Sequence, residues 1–372
     1  MKLELRLDTL FQEKEWPDHG AIEEIAKYTG LHRHTVAGFF RGQVESPSLQ
    51  AIEKICEWLS QVKGVHRDDL PQALFCWVPT SLWQAVGCCD RVRFYIGQYE
   101  QADTSSRRRS WISYWDFNTA REFEKLLNVP RDPNRFRIGH IRRDQHTRVG
   151  NLKFDIVPIP FSSATEVRDV ASDEGPPSRE DVTRSRRELE RIRERTECSA
   201  CVLIGSMKSN LLVEHYLADL FGYQAFGGRR DDHPAEIPPF FLKLRDDDRY
   251  VRSSFCGKNP PPEVVCKSSG PGVYYWTGAG SYEYCPWSQD KDCGIIIVVN
   301  RHPVIEMVLC GFSGRATHSL VHALDRQGDA LWKPTVDIPR QAVKVGIFVC
   351  SLDYSNKNEP CQKVIGIPWK LR

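Results

Sequence analysis

The sequence predicts a multidomain protein in which a small all-α segment, opened by a short strand, precedes a large α/β domain. Three observations carry that fold class. The chain has 372 residues, against roughly 100–200 for one domain. Residues 22–41 (IEEIAKYTGLHRHTVAGFFR) hold the small and apolar positions that two crossed helices and a tight turn require. Farther along, apolar runs lead into glycine turns and then into helical periodicity, the grammar of a layered α/β domain with a Rossmann-like sheet. The boundary falls near residue 70, giving segments 1–70 and 71–372, the second interrupted by an apolar-poor linker or loop at about 162–178.

In the first segment Leu3, Leu5 and Leu7 alternate with charged residues, the pattern of a half-buried strand, and Asp8 stands where an N-cap would start a helix. Pairing across a dimer is one way to satisfy that strand's edge. Within 22–41, Ala26 is the small residue where the helices approach and Gly30 supplies the turn's positive φ. Ile25, Leu31, Val36 and Phe39 are the facing apolar set. Ser46-Pro47-Ser48-Leu49 opens a further helix whose buried stripe is Ile52, Ile55, Cys56 and Leu59.

These residues, with Arg41-Gly42 ending the second helix, resemble the XRE-type (Cro and lambda-repressor-like) helix-turn-helix family over residues 1 to about 66. The resemblance implies a transcriptional regulator that binds double-stranded DNA sequence-specifically, as a homodimer. It places the second helix in the major groove and nominates His32, Arg33, His34, Ala37, Gly38 and Arg41 as DNA-contacting residues. Arg33 can read a guanine through two hydrogen bonds or hold a phosphate, and Ala37 and Gly38 permit close approach to the groove floor. The chain departs from the family pattern at Ala21-Ile22, where many members carry a phosphate-contacting Gln, and at His32, which replaces a Ser or Thr cap. Residues 1–70 carry nine Lys or Arg against twelve Asp or Glu, a net −3, so a dimer or a basic patch elsewhere has to add to DNA affinity.

Such a patch has a candidate in 91–150, with 13 Lys or Arg against seven Asp or Glu. It includes Arg107, Arg108, Arg109, Arg135, Arg137, Arg142, Arg143 and Arg148; a solvated basic loop is the plainer reading. In the same stretch 91–99 (RVRFYIGQY) reads as a strand, 111–115 (WISYW) as another and 116–127 as a capped helix. Alternation assigns Trp111, Tyr114 and Trp115 to core packing.

Beyond the linker, 178–197 reads as a helix with a Ser178/Asp181 capping pattern and a narrow stripe of Val182, Leu189 and Ile192. That stripe fits a surface helix with one packed face, or a short coiled-coil contact between copies. Two β-turn-α units follow, 201–204 (CVLI) into Gly205-Ser206 and a helix over 210–221, then 305–310 into Gly311-Phe312-Ser313-Gly314 and a helix over 317–324. In an open α/β sheet, ligands bind beyond the carboxyl ends of strands, where loop N–H groups and helix N-termini favour anions. Gly205, Ser206, Lys208, Asn210, Gly311, Ser313, Gly314, Arg315 and Thr317 are therefore candidate ligands for a small anionic or nucleotide-like effector. The alternative is that the glycines only permit tight turns. Neither turn is a Walker or GxGxxG sequence, and Arg315 stands where the GxSxG elbow has its last glycine.

Composition narrows the rest. A formal charge of +2 announces neither a nucleic-acid nor a membrane partner for the chain as a whole. The longest strongly apolar run, 294–299 (GIIIVV), is far too short for a membrane helix. Thirteen cysteines behind an opening without a signal-peptide pattern predict reduced thiols and a cytoplasmic location. No cofactor or metal is predicted. Cys198 and Cys201 form a CxxC whose would-be partners Cys256 and Cys266 lack zinc-ribbon spacing, and His318 and His322 lack the HExxH glutamate. Asp246, Asp247, Asp248, Glu283 and Asp292 could line a metal-carboxylate site, or form an acidic turn. No nucleophile, base and orienter stand at a characteristic spacing, which favours a domain that senses a ligand or a partner over catalysis. An enzyme or defence effector acting on a nucleotide or phosphorylated substrate, and an interaction module with a degenerate helix-turn-helix, are the alternatives.

Overall fold

The computed structural model describes residues 2–5, 7, 10–11, 14, 16–40, 44, 47–68, 70, 75–78, 81–102, 108–128, 152–162, 177–226, 238–246, 253–262, 264, 266, 270–301, 304–338, 343–355 and 361–370. The chain forms two compact units, Met1–Thr80 and Ser81–Arg372. Asp8, most of the 162–178 linker, and Arg107, Arg135, Arg137, Arg142, Arg143 and Arg148 lie outside the described residues.

In the first unit β1 (Lys2–Leu5) pairs antiparallel with β2 (Phe75–Val78), Lys2 opposite Val78 and Leu5 opposite Phe75. The opening strand thus finds its partner in the same chain, which carries this unit past residue 70 to Thr80. Three helices lie between, α1 (Ala21–Thr29), α2 (Arg33–Phe40) and α3 (Leu49–Gln61). Gly30 ends α1 at φ +66 with its N–H bonded to Ala26 O, a left-handed C-cap that only glycine takes without strain. At the start of α2 the His32 ring nitrogen Nδ1 accepts from His34 N at 3.3 Å, as a Ser or Thr hydroxyl does at other helix starts. Ser48 caps α3 by accepting from Ala51 N. Ile25, Val36, Phe39, Ile55, Trp58 and Leu59 close a core with Leu7, Leu10 and Phe11, and the Phe11 and Trp58 rings stack. The α3 stripe is rotated from the expected one: Trp58 is buried, whereas Ile52 and Cys56 are only half-buried.

The second unit is a layered α/β domain around a ten-stranded mixed sheet. In chain order its elements are α4 (Leu82–Gly87), β3 (Arg91–Ala102), β4 (Arg108–Ile112), α5 (Tyr114–Asn128), β5 (Lys153–Ser162), α6 (Arg179–Arg193), β6 (Ser199–Ile204), α7 (Leu211–Phe221), β7 (Phe240–Lys243), β8 (Cys256–Gly257), β9 (Gly272–Trp276), β10 (Tyr282–Pro286), β11 (Lys291–Arg301), β12 (Val304–Gly311), α8 (Gly314–Leu331), β13 (Val336–Ile338), β14 (Val343–Asp353), β15 (Cys361–Gly366) and β16 (Trp369–Lys370). Four strands run parallel in the order β5-β3-β6-β12. Beyond β12 the sheet turns antiparallel through β11 and β14, the latter also pairing with β13 and β15. A second sheet, β10-β9-β7-β8, adds its inner residues to the core that covers one face.

Helices cover both faces. Leu189 and Ile192 of α6, with Leu212, Tyr216 and Leu217 of α7, belong to one core; Leu82 and Val86 of α4, Ala120 and Phe123 of α5, and Leu320 and Leu324 of α8 belong to the other. The Ser178/Asp181 cap is formed, Asp181 N donating to Ser178 Oγ at 3.1 Å, and α6 packs on α7 and β5 of its own chain. The segment 111–115 departs from expectation. The strand stops at Ile112, and the Phe117 N–H to Ser113 O bond opens α5, which takes Tyr114 and Trp115 into its first turn. Trp111, Tyr114 (71% exposed) and Trp115 (38%) accordingly lie at the surface and not in the core. Among the described residues no helix is long and apolar enough to cross a membrane.

Candidate functional site

The parallel strands set the place where a ligand could bind. Along the sheet, β3 lies between β5 and β6, so the chain leaves β3 toward one side and later returns past it to β6. The helix that precedes β5 and the helix that follows β6 lie on opposite faces. Loops at the carboxyl ends of β3 and β6 therefore diverge, and such a divergence opens a crevice in doubly wound sheets. The end of β12 lies beside that of β6, Leu309 opposite Ile204. Both glycine-containing turns consequently emerge at one edge of the sheet.

Glycines make this edge tight. A Cβ on Gly97, beside the end of β6, would fall 1.7 Å from Ser209 O, and one on Gly311 would fall 2.1 Å from Thr317 N. Gly205 has φ +107, and its Cβ would meet Ser209 Oγ at 2.7 Å. Much of the polar chemistry in the two turns goes to holding them. Asn210 Nδ2 donates to Tyr95 O and Ile204 O, both at 3.0 Å, while its Oδ1 caps α7 by accepting from Leu212 N. Ser206 is buried and its carbonyl accepts from Ser209 N and Asn210 N. Ser313 Oγ donates to Asp292 Oδ2 and accepts from Ala316 N, and Thr317 Oγ1 accepts from Gly311 N. Asn210, Ser313 and Thr317 are scaffold first. Gly314 is occupied as well, since its Cβ would lie 2.6 Å from Trp115 Cδ1.

Three charged groups stand at the same edge. Lys208 is half-buried, with Nζ 5.5 Å from the centre of the Phe312 ring, and the exposed Arg315 lays its guanidinium over Tyr354 at 3.4 Å. Both cations act on Asp292, whose pKa burial nonetheless raises, against the Ser313 bond and the two positive charges. The third group is Asp116, in the first turn of α5. Only 2% of its surface is exposed, and burial pushes its carboxyl up to about 6. Its Oδ2 stands 3.4 Å from where a Gly205 Cβ would be, so it belongs to the same edge as the two turns. The buried thiol of Cys310, one residue before Gly311, feels both Lys208 and Asp116.

Sequence reasoning missed Asp116 and Gly97. A lone glycine within an apolar strand is a signal of close backbone approach, and it was there to read in 91–99. The Ser113-x-x-Asp116 spacing likewise marks a helix start. The acidic set does not assemble. Glu283 accepts from Tyr275 OH, Asp292 is bonded to Ser313, Asp246 is exposed, and Asp247 and Asp248 lie outside the described residues. Among the described residues no group of three His, Cys, Asp or Glu is placed to hold a metal, which includes Cys198, Cys201, His318 and His322.

On the first unit, His32, Arg33 and His34 are exposed at the start of α2, where Arg33 pairs with Glu23 at 2.5 Å and the two imidazoles stack 5.2 Å apart. Ala37 and Gly38 are half-buried, and a Cβ on Gly38 would approach Val44 Cγ2 to 3.0 Å, so this glycine also serves the chain that follows α2. Arg41 lies outside the described residues. Compared with known protein families, with curated proteins and with solved structures, the chain matches none.

Proposed function

We propose that the chain is an XRE-type helix-turn-helix regulator that binds double-stranded DNA sequence-specifically through α2, and that its α/β unit senses a small anionic, nucleotide-like ligand. The observation that carries the DNA reading is the disposition of α2. Val36 and Phe39 anchor the helix in the core while His32, Arg33 and His34 stay exposed at its N-terminal end, the end such helices direct at base edges. The Arg33–Glu23 pair is a surface ion pair, which contributes at most about 1 kcal/mol and releases readily to a nucleic acid. A homodimer would double the phosphate contacts of a segment with net −3. The ligand reading rests on the crevice edge with Lys208 and Arg315, and the order β5-β3-β6-β12 supports a Rossmann-like assignment for the parallel half.

Selection of bound duplexes from a random pool, with the full chain at low salt, tests the first part. A defined motif is expected, and Arg33→Ala should cost about 1–3 kcal/mol on it and much less on random DNA. Equal losses make Arg33 a phosphate contact, and no motif at all leaves an interaction module as the better account. A second reading, an enzyme acting on the nucleotide, is favoured by one observation, the buried carboxyl of Asp116 beside Gly205, which burial raises to about 6. Turnover of a nucleotide that Asp116→Asn abolishes would establish it.

A further inference from the structure

The sheet edge that carries the two glycine turns holds a buried carboxyl. Asp116 is 2% exposed, yet among the described residues it accepts no hydrogen bond. Its oxygens are not among the side-chain atoms cut off from solvent and left without a partner, so a molecule bound at this edge can reach them, and an acceptor that the molecule desolvates has to be met by a donor. Its surroundings say which kind of molecule. Gly205 opens the space in front of Oδ2, since any side chain there would begin 3.4 Å from it. Lys208 and Arg315 supply positive charge on the adjacent turns, as their joint action on Asp292 attests. The N-terminus of α8 begins beside Arg315, and Trp115, next to Asp116 in sequence, rests its ring on Gly314 and exposes part of its surface. A simple anion would satisfy the cations and be repelled by Asp116. A molecule with an anionic group, neighbouring hydroxyls and a flat ring meets all three demands.

We propose that Asp116 is a ligand-binding residue that accepts a hydrogen bond from a sugar hydroxyl of a ribonucleotide whose phosphate lies toward Lys208 and Arg315. The inference rests on the ligand-sensing reading above and assigns it a chemical class. Trp115 offers the nucleobase a face, and the carboxylate discriminates ribose from a sugar lacking hydroxyls, because an unmet buried acceptor is costly.

The test uses the full chain, EDTA in the buffer, and calorimetric titration with AMP, GMP, CMP and UMP, each beside its 2′,3′-dideoxy counterpart. At least one ribonucleotide should bind tenfold or more tightly than its dideoxy form. Asp116→Ala, which removes the acceptor, should erase that preference without weakening the dideoxy form, Asp116→Asn, whose amide oxygen still accepts but carries no charge, should reduce it, and Lys208→Ala should weaken both. The Asp116→Asn protein should melt no lower than the parent, since no hydrogen bond within the fold is lost. Equal affinities for the two forms, a preference that survives Asp116→Ala, or a melting point lowered by several degrees in Asp116→Asn would each overturn the inference and leave the ligand-sensing reading standing. If none of the eight compounds binds, the nucleotide-sensing reading falls with it.

Discussion

Asp116 has a consequence for stability as well as for binding. Its folded carboxyl titrates near 6, whereas an unfolded one titrates near 3.9, so between those values the folded protein holds more protons than the unfolded chain. Stability on its account is full below about pH 4 and is lost as pH rises through about 6. Glu214, wholly buried on α7 and raised to about 7 despite bonds from Ser253 Oγ and Phe226 N, acts in the same direction. His215 opposes them. Burial holds it down to about 4, so the unfolded state takes up its proton first and stability falls as pH drops below about 6.5. Asp116→Asn removes one of these slopes. Its gain over the parent in urea denaturation should be about 3 kcal/mol at pH 8 and near zero at pH 4. A gain independent of pH would mean that the carboxyl is not the titrating group.

At the scale of elements, the local signals were legible and the lateral ones were not. Ser178 with Asp181, and Asn210 ahead of an apolar run, announce helix starts by chemistry contained within a few residues, and both caps are formed. The segment 111–115 departs from a strand because two local signals compete there: aromatic alternation points to a strand, while Ser113-x-x-Asp116 points to a helix, and the helix takes the last two aromatics. The meeting of Asp116 with Gly205, or of Gly97 with Ser209, depends on β3 and β6 becoming neighbours, and nothing in either segment specifies that pairing. The packing of these elements gives a direct check. Gly97 has ordinary strand geometry, so its glycine is required by contact alone, the Ser209 carbonyl standing 1.7 Å from any Cβ. Gly97→Ala must push the 205–210 turn away from β3, straining the Asn210 bonds to Tyr95 O and Ile204 O. A loss of about 1–3 kcal/mol or more is expected. Gly30→Ala, by contrast, meets only the Lys54 Nζ at 3.9 Å and suffers only from φ +66, a cost of about 1 kcal/mol. Equal losses in thermal melts of the two variants would contradict this separation of contact from conformation.

At the scale of the whole molecule, each unit has its own core and closes its own strands, so the proposed reading of DNA and the proposed reading of a ligand fall in different units. Regulation requires more than both functions being present. The ligand must favour one arrangement of the chain over another, and only its differential affinity for the two can move the equilibrium. Binding free energies are reciprocal: if the nucleotide changes operator affinity by some factor, the operator changes nucleotide affinity by the same factor. We therefore expect a coupling of about 1–3 kcal/mol, or 5–150-fold, to appear with equal size in both titrations. Lys208→Ala and Arg315→Ala should weaken nucleotide binding while leaving operator affinity of the ligand-free protein unchanged, because neither residue belongs to the unit that carries α2. Operator affinity measured with and without saturating nucleotide, beside nucleotide affinity measured with and without operator, decides the matter. Nucleotide binding that leaves operator affinity within twofold would mean that the two units act independently, and the α/β unit would then be better understood as an effector or enzyme that the helix-turn-helix brings to DNA.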